Sequence, residues 1–271
     1  MWRLARVLAS LYIRKDNLTM RRKKNKRYKK VILNIIIYMI LLFVLIYSGI
    51  KIFKWYNDKT NNNKIAEQIK STVIVEDKNE DENKEEYTVD FNKLKEQNNE
   101  TVAWIKVNNT SVEYPVVRAT NNSFYLNHSF DKSENLAGWI FADYRNKFDG
   151  KDKNIVVYGH NMRDGSMFGS MKNILTSKWY NNKENYNIIF NIEGENCIYE
   201  VFSVYKIEAE DYYIKTKFSD NKEFEEFINT IKKRSIKNFD TNVSKDDSIL
   251  TLSTCANNNK YRVVLHAKKS K

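Results

Sequence analysis

Near its C-terminus the chain reads Ser248-Ile249-Leu250-Thr251-Leu252-Ser253-Thr254-Cys255, a short apolar run that ends in a cysteine. The polar pair Asp246-Asp247 precedes it, and a polar turn followed by aliphatic and β-branched residues predicts a strand that ends at Cys255. Arg262 follows seven residues later, inside a second strand-like run over 261–267. A thiol at a strand end with an arginine on the next strand is where a thiolate nucleophile would lie beside a cation that stabilises developing negative charge.

Such a nucleophile needs a base, and the chain has three histidines, His128, His160 and His266. His160 directly follows an apolar strand-like run and precedes a polar loop, which predicts a group exposed enough to exchange protons. His266 shares a strand face with Arg262 by alternation but lies roughly 6 to 7 Å further along, so we expect a satisfied or surface histidine there. His128 lies in a loop-like stretch and is expected at the surface. His160 is therefore the predicted partner of Cys255.

The positive charge of the chain is concentrated at its beginning. The formal net charge is +12, and residues 1–30 hold twelve Lys and Arg against one acid, Asp16. Residues 31–50 are uncharged, which leaves 34 of the 46 bases and 33 of the 34 acids for the rest of the chain. The main body is therefore nearly neutral, and we predict no nucleic-acid partner.

The uncharged run over 31–50 has the length of a membrane span. Its twenty residues would form a helix about 30 Å long, the thickness of a bilayer's hydrocarbon core. A cleaved signal peptide is the alternative, but the run is longer than an h-region and no A-x-A-like site follows. We expect a transmembrane signal anchor over 31–53 and a basic cytoplasmic segment over 1–30, which places the remainder outside the cell. Met20 opens a basic segment of its own, so we expect translation to start there, with residues 1–19 an artefact of the assigned start site; a start at Met1 is the alternative.

The remainder divides by composition into a linker and a folded domain. Residues 54–87 are polar and acidic, which predicts a stalk with at most a short helix around 64–75. Residues 88–271 contain about eight strand-like runs, enough for a closed or nearly closed barrel. They also contain one clear helix, about 222–237, with an Asp220 and Glu223 capping pair. The predicted fold class is mainly β with added helices, preceded by a single transmembrane helix.

The cysteines and histidines give no sign of a metal or cofactor. Cys197 and Cys255 are too few for a disulfide scaffold, although one bond between them stays an alternative that would consume the nucleophile. Cys197 is otherwise expected to be a small apolar residue on a strand. The histidines lack metal-ligand spacing, so we predict neither a metal nor a cofactor.

Several stretches resemble the sortases, the cysteine transpeptidases of Gram-positive cell surfaces. The resemblance rests on 251–255, on Arg262 and on Tyr158-Gly159-His160-Asn161. Further stretches are similar to class B in particular, namely Tyr114-Pro115-Val116-Val117, 122–126, Phe141-Ala142-Asp143-Tyr144-Arg145-Asn146, His160-Asn161-Met162 and Met167-Phe168. The resemblance to the sortases covers about residues 88 to 268. The connection from Cys255 to Arg262 is short and leaves little loop to shape that wall of the groove.

The resemblance implies an eight-stranded sortase-type β-barrel and a membrane-anchored transpeptidase with its catalytic domain outside the cell. Cys255 would attack the threonine carbonyl of a C-terminal sorting motif in an exported protein and form a thioester. His160 would protonate the departing amine and then deprotonate the incoming amine of a lipid-linked peptidoglycan precursor or a pilin. Arg262 would hold the substrate backbone or the oxyanion.

The class B pattern also implies a set of groove residues that contact the sorting peptide. By position they are Asn122, Leu126, Tyr213, Ile214 and Ser253. Core packing is the alternative for Leu126 and Ile214. Two other functions remain open from the sequence: a cysteine hydrolase of cell-wall peptides that uses water as acceptor, and a non-catalytic extracellular binding domain in which Cys255 is merely buried.

Overall fold

A computed structural model describes residues 2–76, 86–255 and 260–271. They divide into two compact units, Met1–Asn57 and Asp58–Lys271. The first helix, α1 (Trp2–Lys70), runs through both units. Among the described helices it alone is long and apolar enough to cross a membrane by length and composition, and it is a candidate membrane anchor.

The second unit is built on a closed barrel. Its helices and strands are β1 (Val73–Glu76), β2 (Glu86–Val89), α2 (Phe91–Gln97), β3 (Thr101–Val107), β4 (Glu113–Val117), β5 (Phe141–Ala142), β6 (Asn154–His160), α3 (Ser177–Tyr180), β7 (Asn187–Ile192), β8 (Ile198–Glu208), α4 (Asn221–Lys233), β9 (Ile249–Cys255) and β10 (Tyr261–Lys269). Short 3₁₀ turns cover Phe124–Leu126, Gly169–Leu175, Lys183–Tyr186 and Tyr212–Ile214. Eight strands close in the order β10-β8-β7-β3-β4-β5-β6-β9, and β1 pairs with β2 in a separate ribbon. The predicted eight-stranded barrel is confirmed.

Strands β8, β9 and β10 bury side chains on both faces because a second apolar cluster covers this part of the barrel's outside. On β9, Leu250 and Leu252 join the main core, whereas Ile249 joins a cluster formed with α4. The α4 members of this cluster are Phe224, Phe227, Ile228 and Ile231. Burying each such side chain contributes about 1.5 to 3 kcal/mol, which is enough to hold an amphipathic helix against a sheet.

The predicted helix near residue 222 is present, and its start is capped as expected. Asp220 is the N-cap, and its carboxylate accepts a hydrogen bond from the Glu223 backbone N–H at 2.8 Å. Glu223 in turn accepts from the Ser219 backbone N–H at 2.6 Å. The helix ends at Lys233, earlier than the sequence pattern suggested, with Arg234 as its C-cap.

The structure differs from the predicted stalk between residues 58 and 76. There α1 continues to Lys70, and Ile69 is fully buried in the main core. The amide of Asn62 is also buried; its nitrogen donates to the Gly138 carbonyl at 3.1 Å, and its oxygen accepts from Asn135 Nδ2 at 2.9 Å. An Asn-rich stretch reads as solvated in a sequence, but a single amide can satisfy both a donor and an acceptor of a buried loop. Residues 77–85, the most acidic part of the predicted stalk, lie outside the described residues.

Cys197 is a free, buried thiol, so the alternative of a bond to Cys255 does not hold. Burial raises the pKa of the Cys197 thiol, which lowers its reactivity at neutral pH.

Candidate active site

The parallel pairing of β6 with β9 brings two distant parts of the chain to one end of the barrel. The register pairs His160 with Cys255, and each is the last residue of its strand. Neighbouring strands lie about 4.8 Å apart. The backbone therefore places the predicted base and the predicted nucleophile side by side where both strands end. His160 is half-buried, so it keeps contact with solvent.

One ring nitrogen of His160 is held by the backbone. Its Nε2 lies 2.6 Å from the carbonyl oxygen of Leu126, at the end of the turn Phe124–Leu126. A carbonyl can only accept, so Nε2 carries a proton and donates. The neutral and the charged imidazole therefore differ at Nδ1, so any proton transfer by the ring in this orientation takes place at Nδ1.

Arg262 lies near the start of β10, close to the end of β9. The antiparallel pairing of β9 with β10 ends at Val264 and Ser253, which lie two residues from Arg262 and from Cys255 along their strands. The guanidinium is half-buried and donates through Nη1 to the Tyr261 carbonyl at 3.2 Å. A permanently charged fork at this position can bind a substrate carbonyl or an oxyanion.

The structure places the other two histidines in different surroundings. His266 is fully buried and satisfied, with Nδ1 2.9 Å from the Thr251 hydroxyl and Nε2 2.9 Å from the Tyr205 hydroxyl. Burial lowers its pKa to about 3. His128 was expected at the surface, but it is half-buried because its ring stacks on Phe124 at 4.0 Å between centroids. Neither histidine lies at the end of β6 or β9.

The five residues predicted to contact a peptide divide into a half-buried group and a buried group. Asn122, Leu126 and Ile214 are half-buried, and the last two pack against the apolar clusters. Tyr213 and Ser253 are 2 % and 1 % exposed, and their hydroxyl groups lie 3.0 Å apart. In this structure the two hydroxyl groups face each other rather than solvent, and the pair supports the turn Tyr212–Ile214.

Sequence reasoning assigned no role to Asp143, which is central to this region. Its carboxylate is fully buried and accepts hydrogen bonds from Asn122, Arg145 and Tyr158. The available signal was an aspartate directly after the apolar pair Phe141-Ala142 and two residues before an arginine. That spacing allows a local ion pair but does not reveal the more distant partners.

Within the part of the chain that the structure describes, no group of three or more His, Cys, Asp or Glu residues could hold a metal ion.

Comparison with known proteins agrees with this geometry. A profile for the sortase domain matches residues 105–270. Sortase B of Listeria monocytogenes is 31% identical over 233 residues, which cover 85% of this chain and 94% of that protein. Sortase B from B. anthracis, solved in complex with AAEK1, has a TM-score of 0.69 and 34% identity over 80% of this chain and 99% of that one. A Staphylococcus aureus sortase B-substrate complex has a TM-score of 0.63 and 34% identity over 67% of this chain and 84% of that one.

The barrel order, the strand-end placement of His160 and Cys255, and the extent of these matches all lead to one conclusion: the chain belongs to the sortase family of cell-wall transpeptidases and falls in class B.

Proposed function

We propose that this protein is a membrane-anchored cysteine transpeptidase that cleaves a C-terminal sorting motif of exported proteins after threonine. It then transfers the acyl group to an amine of a lipid-linked peptidoglycan precursor or of a pilin. The observation that carries the proposal is the parallel register of β6 and β9, which pairs His160 with Cys255 at the end of both strands.

The first half of the reaction forms an acyl-enzyme. The Cys255 thiolate attacks the threonine carbonyl, and Arg262 stabilises the negative charge that develops on oxygen. The C–N bond then breaks as His160 gives its Nδ1 proton to the departing amine. A thioester to Cys255 remains, and the neutral imidazole keeps its Nε2 proton on the Leu126 carbonyl.

The second half resolves the thioester. The nitrogen of the incoming amine attacks the thioester carbonyl, and His160 Nδ1 takes a proton from that amine. The C–S bond breaks, an amide bond forms, and thiolate and imidazolium are restored. Because the Leu126 carbonyl holds Nε2 in both protonation states, the ring does not have to turn between the two halves.

The proposed topology follows from the charge pattern along α1. The apolar segment 31–53 spans the membrane, the basic segment 1–30 stays in the cytoplasm, and the catalytic domain works outside. There it would meet exported proteins and lipid-linked precursors. In this proposal the polar segment 54–87 follows the span, and the catalytic domain covers 88–271.

A library of sorting-motif peptides, offered to the full chain in detergent together with oligoglycine or a diaminopimelate-type amine, tests this function. We expect an amide product identified by mass, and none from Cys255→Ala. Hydrolysed peptide without amide would indicate a cysteine hydrolase. No product from the wild-type chain, with equal peptide binding by wild type and Cys255→Ala, would indicate a binding domain. Either result would refute the proposal.

A further inference from the structure

The carboxylate of Asp143 is the centre of a buried hydrogen-bond cluster. Oδ1 accepts from the Arg145 backbone N–H at 2.9 Å and from Arg145 Nε at 2.8 Å. Oδ2 accepts from Arg145 Nη2 at 2.7 Å, from the Tyr158 hydroxyl at 2.8 Å and from Asn122 Nδ2 at 2.9 Å. Five donors converge on two oxygens, so nearly every acceptor position of the carboxylate is used in well-formed, charge-assisted hydrogen bonds.

On one side of the cluster, Asp143 fixes the side chain of Asn122. The Asn122 nitrogen donates to Asp143, and its oxygen accepts from the Tyr144 backbone N–H at 2.9 Å. A planar amide held at both ends has a single orientation. One N–H of the amide and one lone pair of its oxygen remain for a peptide backbone, which needs both a donor and an acceptor.

On the other side, Arg145 extends the cluster to the turn Tyr212–Ile214. Its Nη2 also donates to the Ile214 carbonyl at 2.9 Å. The guanidinium is 35 % exposed, whereas the carboxylate it pairs with is not exposed at all. One rigid bidentate pair thus joins the residues just before the turn Phe124–Leu126 to the segment that follows β8.

The cluster is also tied to the strand that carries the predicted base. Tyr158 lies on β6, two residues before His160, so its hydroxyl and the imidazole leave the strand on the same face. The position of Asp143 is therefore set relative to the catalytic end of β6 and not only to its own loop.

We propose that Asp143 is a positioning residue for the sorting-peptide groove. It fixes Asn122 on one wall and, through Arg145, the Ile214 backbone on the other, so that the two walls keep a single spacing. This inference rests on the proposed function, since it takes Asn122 and Ile214 as peptide contacts.

The charge state of Asp143 agrees with this role. Burial alone would raise the pKa of the carboxyl, but the hydrogen bonds from Arg145, Tyr158 and Asn122 outweigh it and lower the pKa below its ordinary value. The carboxylate is therefore ionised at neutral pH, and the direction of each hydrogen bond in the cluster is fixed.

The test compares Asp143→Asn and Arg145→Lys with the wild-type full chain in detergent. It measures kcat and the KM for the sorting peptide, the KM for the amine, and the pH dependence of Cys255 alkylation by iodoacetamide. We expect Asp143→Asn to raise the peptide KM about tenfold, because Asn122 and, through Arg145, the Ile214 backbone are then no longer held in place. The amine KM and the pH profile of alkylation stay unchanged. Arg145→Lys raises the peptide KM less, since Asn122 keeps its acceptor.

Asp152→Asn is the matched control. The Asp152 carboxylate also accepts two backbone N–H groups, those of Lys147 and Phe148 at 2.9 and 2.8 Å, but it has no hydrogen bond to Asn122 or to Ile214. We expect a lower Tm in this variant and an unchanged peptide KM. If Asp143→Asn lowers Tm in the same way and leaves the peptide KM within twofold of wild type, Asp143 serves the fold alone and the inference is overturned.

Two further outcomes keep the inference testable. If Asp143→Asn does not fold, Arg145→Lys decides, and an unchanged peptide KM in that variant overturns the inference. A wild-type chain that forms no amide product refutes the proposed function itself, whereas normal wild-type turnover with unchanged KM in both variants refutes only the role of Asp143.

Discussion

Two histidines on neighbouring parts of the same barrel show how surroundings decide what an imidazole does. His160 ends β6, is half-buried and has its Nε2 on the Leu126 carbonyl. His266 lies in the middle of β10, is fully buried and has hydroxyl partners at both nitrogens. The residue type is the same, but of these two histidines only His160 lies at a strand end, beside the strand that ends in Cys255.

The hydrogen-bond directions around His266 fix its protonation. The Thr251 hydroxyl donates to Asn154 Oδ1 at 2.7 Å, so it can only accept from His266 Nδ1. Nε2 must then accept the Tyr205 hydroxyl proton. His266 is therefore the neutral Nδ1–H tautomer, which agrees with a pKa lowered by burial to about 3.

This chain of hydrogen bonds begins and ends on one short segment of the chain, residues 212–215. Tyr212 donates to the Tyr205 hydroxyl at 3.1 Å, and Asn154 Nδ2 donates to the Lys215 carbonyl at 2.9 Å. His266 thus holds both ends of the segment 212–215, which includes the turn Tyr212–Ile214. We therefore assign a structural role to His266 and predict that His160 is the proton-transfer group.

The largest expected effect is on turnover, measured in variants in which one of the two histidines is replaced. His160→Asn should lower kcat/KM for transpeptidation about 10³-fold, because a positioned general acid and base contributes roughly 10² to 10⁴. His266→Asn should stay within about tenfold of wild type in the same assay. An equal loss in both variants would show that the distinction drawn from burial is wrong.

Arg262→Lys tests the cation at the same end of the barrel. We expect kcat to fall about 10²-fold, because a point charge does not replace a rigid fork at a developing oxyanion. Arg118→Lys is the control, since Arg118 is also half-buried and also donates to a backbone carbonyl, that of Asn146. Its turnover should be near wild type; near-normal turnover in Arg262→Lys would remove Arg262 from the mechanism.

Much of the fold followed from local patterns, whereas the site depended on pairing between distant segments. Alternating apolar runs predicted eight barrel strands, and the period and cap of α4 predicted that helix. The strand-end position of His160 was visible in the sequence, but its register with Cys255 was not, because parallel pairing depends on contacts far apart in the chain.

The two features that sequence reasoning did not anticipate are polar groups buried far from their partners. Asn62 lies in an Asn-rich stretch and yet satisfies the Gly138 carbonyl. Asp143 pairs with the nearby Arg145, but its contacts with Asn122 and Tyr158 come from separate loops and strands. Composition indicates that such residues are polar, and only the tertiary arrangement determines whether they are solvated or internally satisfied.

After the effects on turnover, the next largest expected effect is on stability. Here replacement of His266 should have the larger effect and replacement of His160 the smaller one. His266→Ala removes two buried hydrogen bonds, so that the Thr251 hydroxyl loses the donor from which it accepts and the Tyr205 hydroxyl loses its acceptor. This loss should cost about 2 kcal/mol or more in the free energy of unfolding. His160→Ala should cost less than about 1 kcal/mol because its position is half-exposed. Denaturant unfolding of both variants measures this; a larger loss for His160→Ala would contradict the assignment.

Protonation of His266 should also make stability depend on pH. Its folded pKa lies near 3, below the unfolded value of about 6.5. As pH falls through this window the unfolded chain gains a proton that the folded chain does not, so stability present above pH 6.5 is lost by at most about 1.4 kcal/mol per pH unit. His266→Gln should flatten the curve between pH 6.5 and 4. An identical slope in wild type and variant would show that His266 is protonated in the fold.

The smallest expected effect concerns His128. This residue is as half-buried as His160 but does not lie at a strand end, so it tests whether exposure alone is sufficient. It is half-buried like His160, but its ring stacks on Phe124, and its Nδ1 lies 2.8 Å from the Phe124 carbonyl. It supports the turn whose last residue, Leu126, holds His160 Nε2. His128→Gln should change kcat/KM by only about twofold, since an amide can still bond to the Phe124 carbonyl while the stacking is lost.

Any effect of His128→Gln should pass through His160 rather than through a proton carried by His128. We therefore expect the pH profile of kcat/KM to keep its shape. A lost or added limb in the profile would mean that His128 exchanges protons during turnover, and that half-burial alone, without the strand-end position beside Cys255, is sufficient for the role assigned to His160.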